Sequence, residues 1–224
     1  MTRGFCAHEF TGIMREMRTL PFLLPVLACM AMVTADAAPP TKAATAPVMN
    51  YKSSGSPSAP IKIEIYTDYE CPMCRELDLN TLPPLIKDYV QTGKVQLLHR
   101  DFVLPQHKYS PIATKYANAA GEIGKYDLVA TQIFQSQPQW SQNGNVDGEV
   151  AKVLSPADMQ KVRDLVKASG PDLSPAVKAD MDMGDKDGLR ATPTIVIIAK
   201  GKREVISGGM PYNILKSYLD QKLK

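Results

Sequence analysis

The chain has 224 residues, 44% of them hydrophobic and 22% charged, with a formal net charge of +3; this suits one well-buried domain carrying an insertion and leaves two full domains cramped. The apolar fraction excludes wholesale disorder, and the lack of long Lys/Arg runs leaves no electrostatic footprint for nucleic acid. Of the four cysteines only Cys71 and Cys74 stand close together, which excludes a four-cysteine zinc site of the usual kind.

Residues 20–33 form the most apolar N-terminal run; Arg15 and Arg18 precede it, and Ala35-Asp36-Ala37, a small-x-small cleavage pattern, follows. The run falls short of the roughly 20 apolar residues of a membrane span, and Pro21 and Pro25 break it. Residues 1–37 therefore read as an export signal peptide. Translation from Met14 or Met17 is an alternative to Met1, and a retained hydrophobic anchor is the alternative to cleavage. A second route is lipidation, since Val26-Leu27-Ala28-Cys29 resembles a lipoprotein signal in which Cys29 becomes the new N-terminus. Both routes place the mature chain in the periplasm or cell envelope, and cleavage after Ala37 leaves it two cysteines, Cys71 and Cys74.

Residues 38–60, dominated by Ala, Pro, Ser, Thr and Lys, read as a flexible linker, and residues 61–224 as the folded domain. Ile61, Ile63 and Ile65 alternate with Lys62, Glu64 and Tyr66, a strand period that ends at Thr67-Asp68. Pro72 suits the first turn of a helix. Leu77, Leu82, Leu85, Ile86, Tyr89 and Val90 continue its apolar face, and Pro83-Pro84 is expected to kink or restart it. After Gly93 a second strand is predicted from Val95 to Phe102, closing a βαβ unit. From about 108 to 189 the pattern is helical, which predicts an inserted subdomain. Helices are expected near 110–122 and 126–135, from Ser155-Pro156-Ala157-Asp158 to Gly170, and from Pro175 to about Asp187, the last marred by Gly184. Thr194–Ala199 and Arg203–Ile206 predict a hairpin across Gly201, and Pro211–Leu219 a closing amphipathic helix. The class is α/β.

Cys71-Pro72-Met73-Cys74 carries the chemistry. Two intervening residues at a helix start put the sulfurs within disulfide reach, and Cys71 sits where unpaired backbone N–H groups and the helix dipole favour an anion. The thiolate is the attacking species in thiol–disulfide exchange. Cys71 is thus the candidate to form a mixed disulfide and Cys74, one turn deeper, to resolve it. A static disulfide and half of a zinc site are the competing readings, and the zinc reading lacks further cysteine ligands in the mature chain. No metal or cofactor is expected.

Gly55-Ser56-Pro57-Ser58-Ala59-Pro60, Tyr66-Thr67-Asp68-Tyr69-Glu70-Cys71-Pro72-Met73-Cys74-Arg75, Arg100-Asp101-Phe102 and Ala191-Thr192-Pro193-Thr194 together resemble the DsbA-like thiol–disulfide oxidoreductases of the thioredoxin superfamily. The resemblance runs from about Gly55 to the C-terminus and implies a thioredoxin-like fold with an inserted helical subdomain. It also implies that Pro193 is a cis-proline facing the cysteine pair, with the backbone of Thr192 free to hold an extended substrate as an added strand. Pro72 and Met73 complete the expected substrate surface, while Met181, Met183 and Met210 are assigned to the core. Cysteine-containing exported proteins and a membrane redox partner are the implied partners.

Two departures stand out. Met73 occupies the place where strong oxidases of this family carry His, which points to a milder oxidant. Ile65 occupies the place of a buried acid that serves proton transfer; Glu64 is adjacent but should face the other side of the strand. Asp68 and Glu70 are nearer, either as a proton relay or, on the simpler reading, as solvated loop charges. His99 and His107 are assigned structural or surface roles, and Trp140 to packing. The functional expectation is an exported disulfide donor. A reductase or isomerase is the alternative, and a non-catalytic peptide-binding chaperone module is a third reading.

Overall fold

The computed structural model describes residues 50–224. The export signal, Cys29 and residues 38–49 of the expected linker lie outside the described residues. The alternating isoleucines build a strand, Ile61–Thr67, that places Ile61, Ile63 and Ile65 on one face and Lys62, Glu64 and Tyr66 on the other. This strand is β2, because a short strand β1, Ser53–Ser54, precedes it. β1 corrects the linker reading: Ser53 and Ser54 pair antiparallel with Leu98 and Leu97, and Lys52 beside them is buried.

After β2 the chain enters α1, Pro72–Glu76, then a π-helical turn, Leu77–Thr81, α2, Leu82–Leu85, and a second π-helical turn, Ile86–Val90. Pro83 and Pro84 offer no N–H, and the wider pitch flanks them on both sides, with Leu82 N–H donating to Leu77 C=O and Gln91 N–H to Ile86 C=O. The expected break is thus absorbed by loosened turns. β3, Val95–Asp101, then pairs parallel to β2. The insertion comprises α3, Ser110–Glu122, α4, Tyr126–Gln135, α5, Gln137–Asn143, α6, Val146–Val150, α7, Pro156–Ala168, and α8, Pro175–Lys186. α5 and α6 were not foreseen. β4, Thr194–Ala199, β5, Lys202–Ser207, and α9, Tyr212–Lys222, complete the chain. The sheet order is β1-β3-β2-β4-β5, with β4 antiparallel to both neighbours. No helix among the described residues is long and apolar enough to cross a membrane.

The two sheet faces are held differently. Ile61, Ile63, Ile65, Ile195 and Ile197 pack with Leu85, Leu215 and Leu219 under α2 and α9, each fully buried side chain contributing about 1.5–3 kcal/mol. On the opposite face Tyr66, Phe102 and Leu189 form a small apolar cluster beside a buried ionic network. Lys52 pairs with Asp101 and, at 3.0 Å, with Asp180; Arg100 bridges Asp180 at 2.8 Å and Glu64 at 3.1 Å; Arg203 reaches Glu64 at 2.9 Å. Asp180 thereby ties α8 to the sheet. Gly184 is required by the same contact, since a Cβ there would lie 2.7 Å from the Phe102 ring. A separate core of Trp140, Ile133, Val129 and Val162 fills the insertion, where the Trp140 Nε1–H donates to the Ile133 C=O at 2.7 Å.

Candidate active site

The strand register assembles the site. β2 and β4 run antiparallel with Tyr66 opposite Thr194, so the turn leaving β2 and the loop entering β4 meet at one end of the sheet. The Thr192–Pro193 bond in that loop is cis, and Cys71 Sγ–H donates to the Thr192 C=O at 3.2 Å. Cys71 is the N-cap of α1 with extended backbone, and Pro72 follows at the position where a missing N–H is harmless. Cys74, one turn on, is fully buried, whereas Met73 between them is 54% exposed.

The insertion holds this turn from outside. Gln137, buried at the start of α5, donates its side-chain amide to the Tyr69 C=O at 2.7 Å and the Cys71 C=O at 3.0 Å. Arg75 reaches back across the interface, its Nε–H donating to the Phe134 C=O at 3.0 Å. Met73, Leu77, Thr81, Gly209, Met210 and Tyr212 line a groove of about 200 Å³ beside the cysteines. Met210, assigned to the core from sequence, therefore also contributes to this surface.

The two thiols are polarised in opposite directions. A hydrogen bond from the Cys74 thiol, then the Thr192 side chain and the N–H groups of Cys74 and Met73, outweigh burial and pull Cys71 down to about 5. No cationic side chain is among these causes. Burial, with the neighbouring Cys71 sulfur, pushes Cys74 well up, although Asp68 N–H donates to its Sγ at 3.4 Å.

The acids near the pair are not solvated loop charges. Asp68 is fully buried, accepting Glu70 N–H on Oδ1 at 2.8 Å and Leu104 N–H on Oδ2 at 2.7 Å. Glu70 accepts the N–H groups of Tyr109 and Ser110 at 2.6 and 2.9 Å, anchoring the start of α3. His107 is not a free surface residue either, because its Nδ1 lies 3.0 Å from Asp68 Oδ2. Glu64 faces away from the cysteines into the ionic network, and Ile65 packs in the apolar core. His99 stacks edge-on to Tyr126, and burial lowers it to about 4. Gln137 carried no sequence signal and Arg75 only its place in the cysteine motif; their partners are backbone carbonyls that become neighbours only in the fold. Among the described residues no cluster of three or more His, Cys, Asp or Glu is arranged to hold a metal.

A dithiol at a strand-to-helix turn, polarised between an acidic outer and a neutral inner sulfur and facing a cis-proline, defines a thioredoxin-like thiol–disulfide oxidoreductase. The chain belongs to the thioredoxin family: the model Thioredoxin_4, described as Thioredoxin, matches residues 50–220. It is 26% identical over 179 residues to "Disulfide bond formation protein D" of Bacillus subtilis (strain 168), covering 76% of each chain. It is also 26% identical over 186 residues to "Probable disulfide bond formation protein D" of Bacillus anthracis, covering 77% of this chain and 78% of the relative. Among solved structures it resembles oxidised BdbD of Bacillus subtilis, with a TM-score of 0.62, 22% identity, and coverage of 77% of this chain and 92% of the other. Alpha-DsbA1 of Wolbachia pipientis gives a TM-score of 0.61 at 19% identity, covering 76% and 89%. The protein is a thiol–disulfide oxidoreductase of the DsbA/BdbD type with a mixed α/β, thioredoxin-like fold.

Proposed function

We propose that Cys71 and Cys74 are the exchange pair and that the oxidised protein donates their disulfide to cysteine-containing exported proteins. The observation that carries this reading is the polarity of the pair. A Cys71 thiolate at about 5 stabilises the reduced form near neutral pH, and a stabilised reduced form makes the disulfide a better oxidant. The substrate thiolate attacks Cys71 Sγ, the Cys71–Cys74 bond breaks, and Cys74 leaves and takes up a proton. A second substrate thiolate then releases reduced protein and an oxidised substrate. Thr192 and Pro193 present backbone to an extended chain beside Cys71, and Pro72 and Met73 flank it. Export follows from the signal pattern of residues 1–37, and a membrane redox partner restores the disulfide.

Equilibration of the pair with glutathione tests the direction. A potential above roughly −190 mV supports donation, and one near roughly −250 mV overturns it. Met73, where strong oxidases carry His, favours the second reading, a reductase kept reduced by a membrane electron donor. Trapping the thiols in cells with an alkylating mass tag separates the two: a mostly oxidised pair supports the donor, a mostly reduced pair the reductase.

A further inference from the structure

The methionine between the two cysteines takes no part in thiol exchange, yet among the described residues it is the most exposed sulfur-bearing side chain. Met159 is buried, Met181, Met183 and Met210 are half-buried, and Met73 is exposed, at 54%. Its place follows from the helix start. Met73, Leu77 and Thr81 recur at i, i+4 and i+8 and form one wall of the groove beside the cysteines. Gly209, Met210 and Tyr212 form the other, and Thr81 Oγ1–H donates to the Met210 C=O at 3.0 Å, which ties the two walls together. At the mouth, Met73 Cε and Pro193 Cγ are equally close to Gly209, each 3.7 Å from where a Cβ would stand. The thioether is thus an apolar lip between the cis-proline and the groove. A thioether does not titrate, so exposure governs its reactivity toward oxygen-donating oxidants. While the cysteine pair is a disulfide, it offers no thiolate to compete.

We propose that Met73 is an oxidation site, at which a peroxide-class oxidant switches the substrate surface from apolar to polar. This rests on the reading of Cys71 and Cys74 as the exchange pair and of Met73 as part of the surface that meets substrate. A sulfur lone pair attacks one oxygen of hydrogen peroxide, and the S–O bond forms as the O–O bond breaks. The proton on the transferred oxygen passes to the departing hydroxide, and water leaves. The sulfur gives up two electrons and the peroxide takes them. The product, a sulfoxide, carries a strong acceptor oxygen that stays hydrated, so an apolar substrate side chain entering the groove must strip that water. Cys71 keeps its contact with the Thr192 C=O, and little packing is lost, because the Met73 side chain stands largely in solvent. The oxidised protein therefore retains its disulfide but loses its hold on substrate. Methionine sulfoxide reductases reverse the change.

The test uses the full chain with Cys6→Ser and Cys29→Ser, held in the disulfide form and treated with hydrogen peroxide. Peptide mapping by mass spectrometry should find the sulfoxide at Met73 before Met159, Met181, Met183 or Met210. With glutathione disulfide as oxidant, KM for a reduced peptide carrying an apolar residue beside its cysteine should rise about fivefold. The kcat, the melting temperature and the alkylation of Cys71 after reduction should stay as they were. Reductases for both sulfoxide epimers, followed by re-formation of the disulfide, should return KM to its starting value. Met73→Leu, measured before and after peroxide, should show no change on treatment. Oxidation of Met73 no sooner than the half-buried methionines overturns the proposal. So does a complete Met73 sulfoxide with unchanged KM, or a rise in KM that Met73→Leu shares, which places the damage elsewhere. If Met73→Ala leaves KM unchanged in untreated protein, the reading of Met73 as substrate surface fails and takes the proposal with it. Absence of turnover in untreated protein defeats the exchange reading, and the proposal falls with that too.

Discussion

Cys71 and Cys74 share one turn and one chemistry, yet their surroundings differ at every point. Cys71 donates to the Thr192 C=O, while a hydrogen bond from the Cys74 thiol and the helix-start N–H groups help pull it down to about 5. Cys74 is enclosed by packing and pushed the other way. Cys71 depends on a loop far along the chain, through Thr192, whereas Cys74 depends on the turn just before it, through Asp68. On the proposed function, the contrast separates two requirements of an exchange centre: a poised outer nucleophile, and an inner sulfur kept neutral until it is needed.

The largest expected effect comes from abolishing one side of the contrast. Cys71→Ser should remove exchange with small disulfides and with a reduced protein substrate altogether, read as loss of turnover. Cys74→Ser should instead accumulate mixed disulfides through Cys71, read as adducts on non-reducing gels, because nothing remains to resolve them. The next effect is on pH dependence. Alkylation of Cys71 should follow a midpoint of about 5, while Cys74 stays unreactive until strongly alkaline pH, as iodoacetamide labelling followed by mass spectrometry can read.

The sign of the linked stability follows from the direction of the shift. Cys71 is depressed in the folded reduced protein, so its contribution is fully present above the unfolded thiol value and is lost as pH falls through about 5. The stability of the reduced form relative to the oxidised form should therefore rise between those limits, as paired thermal melts would show. The reduction potential should accordingly fall about 30 mV per pH unit above that midpoint, for one proton taken up, and about 59 mV per unit below it, for two. A slope of about 59 mV at neutral pH would erase the contrast between the sulfurs.

Smaller effects sharpen the comparison. Gln137→Ala should cost about 1–3 kcal/mol of stability in a urea melt, since the Tyr69 and Cys71 carbonyls lose a buried donor. Met73→Ala, at an exposed side chain, should leave stability and Cys71 alkylation unchanged and raise KM for a peptide substrate severalfold.

The contrast was only half legible in the sequence. Cys71, Pro72 and Cys74 speak through their spacing, and Thr192-Pro193 through its resemblance to the family, because these signals are local in the chain. The strands of the central sheet and the helices with Ser-Pro caps were legible for the same reason. Asp68 was not: nothing in Thr67-Asp68-Tyr69 reports that the loop carrying Leu104 and His107 closes over its carboxyl. β1 escaped because two serines show no period, and its neighbour Lys52 is buried only because Asp101 and Asp180 converge on it. α5 and α6 are too short for a helical repeat to declare itself.

Because the register sets Thr194 opposite Tyr66, the acceptor facing Cys71 comes from a segment 121 residues downstream. N-terminal segments emerge first during synthesis, so the dithiol is made long before the loop that completes its surroundings. Completion of the chain adds the last of its partners. A product truncated before β4 would carry both thiols and the helix-start N–H groups, but not the Thr192 carbonyl that Cys71 meets in the finished fold.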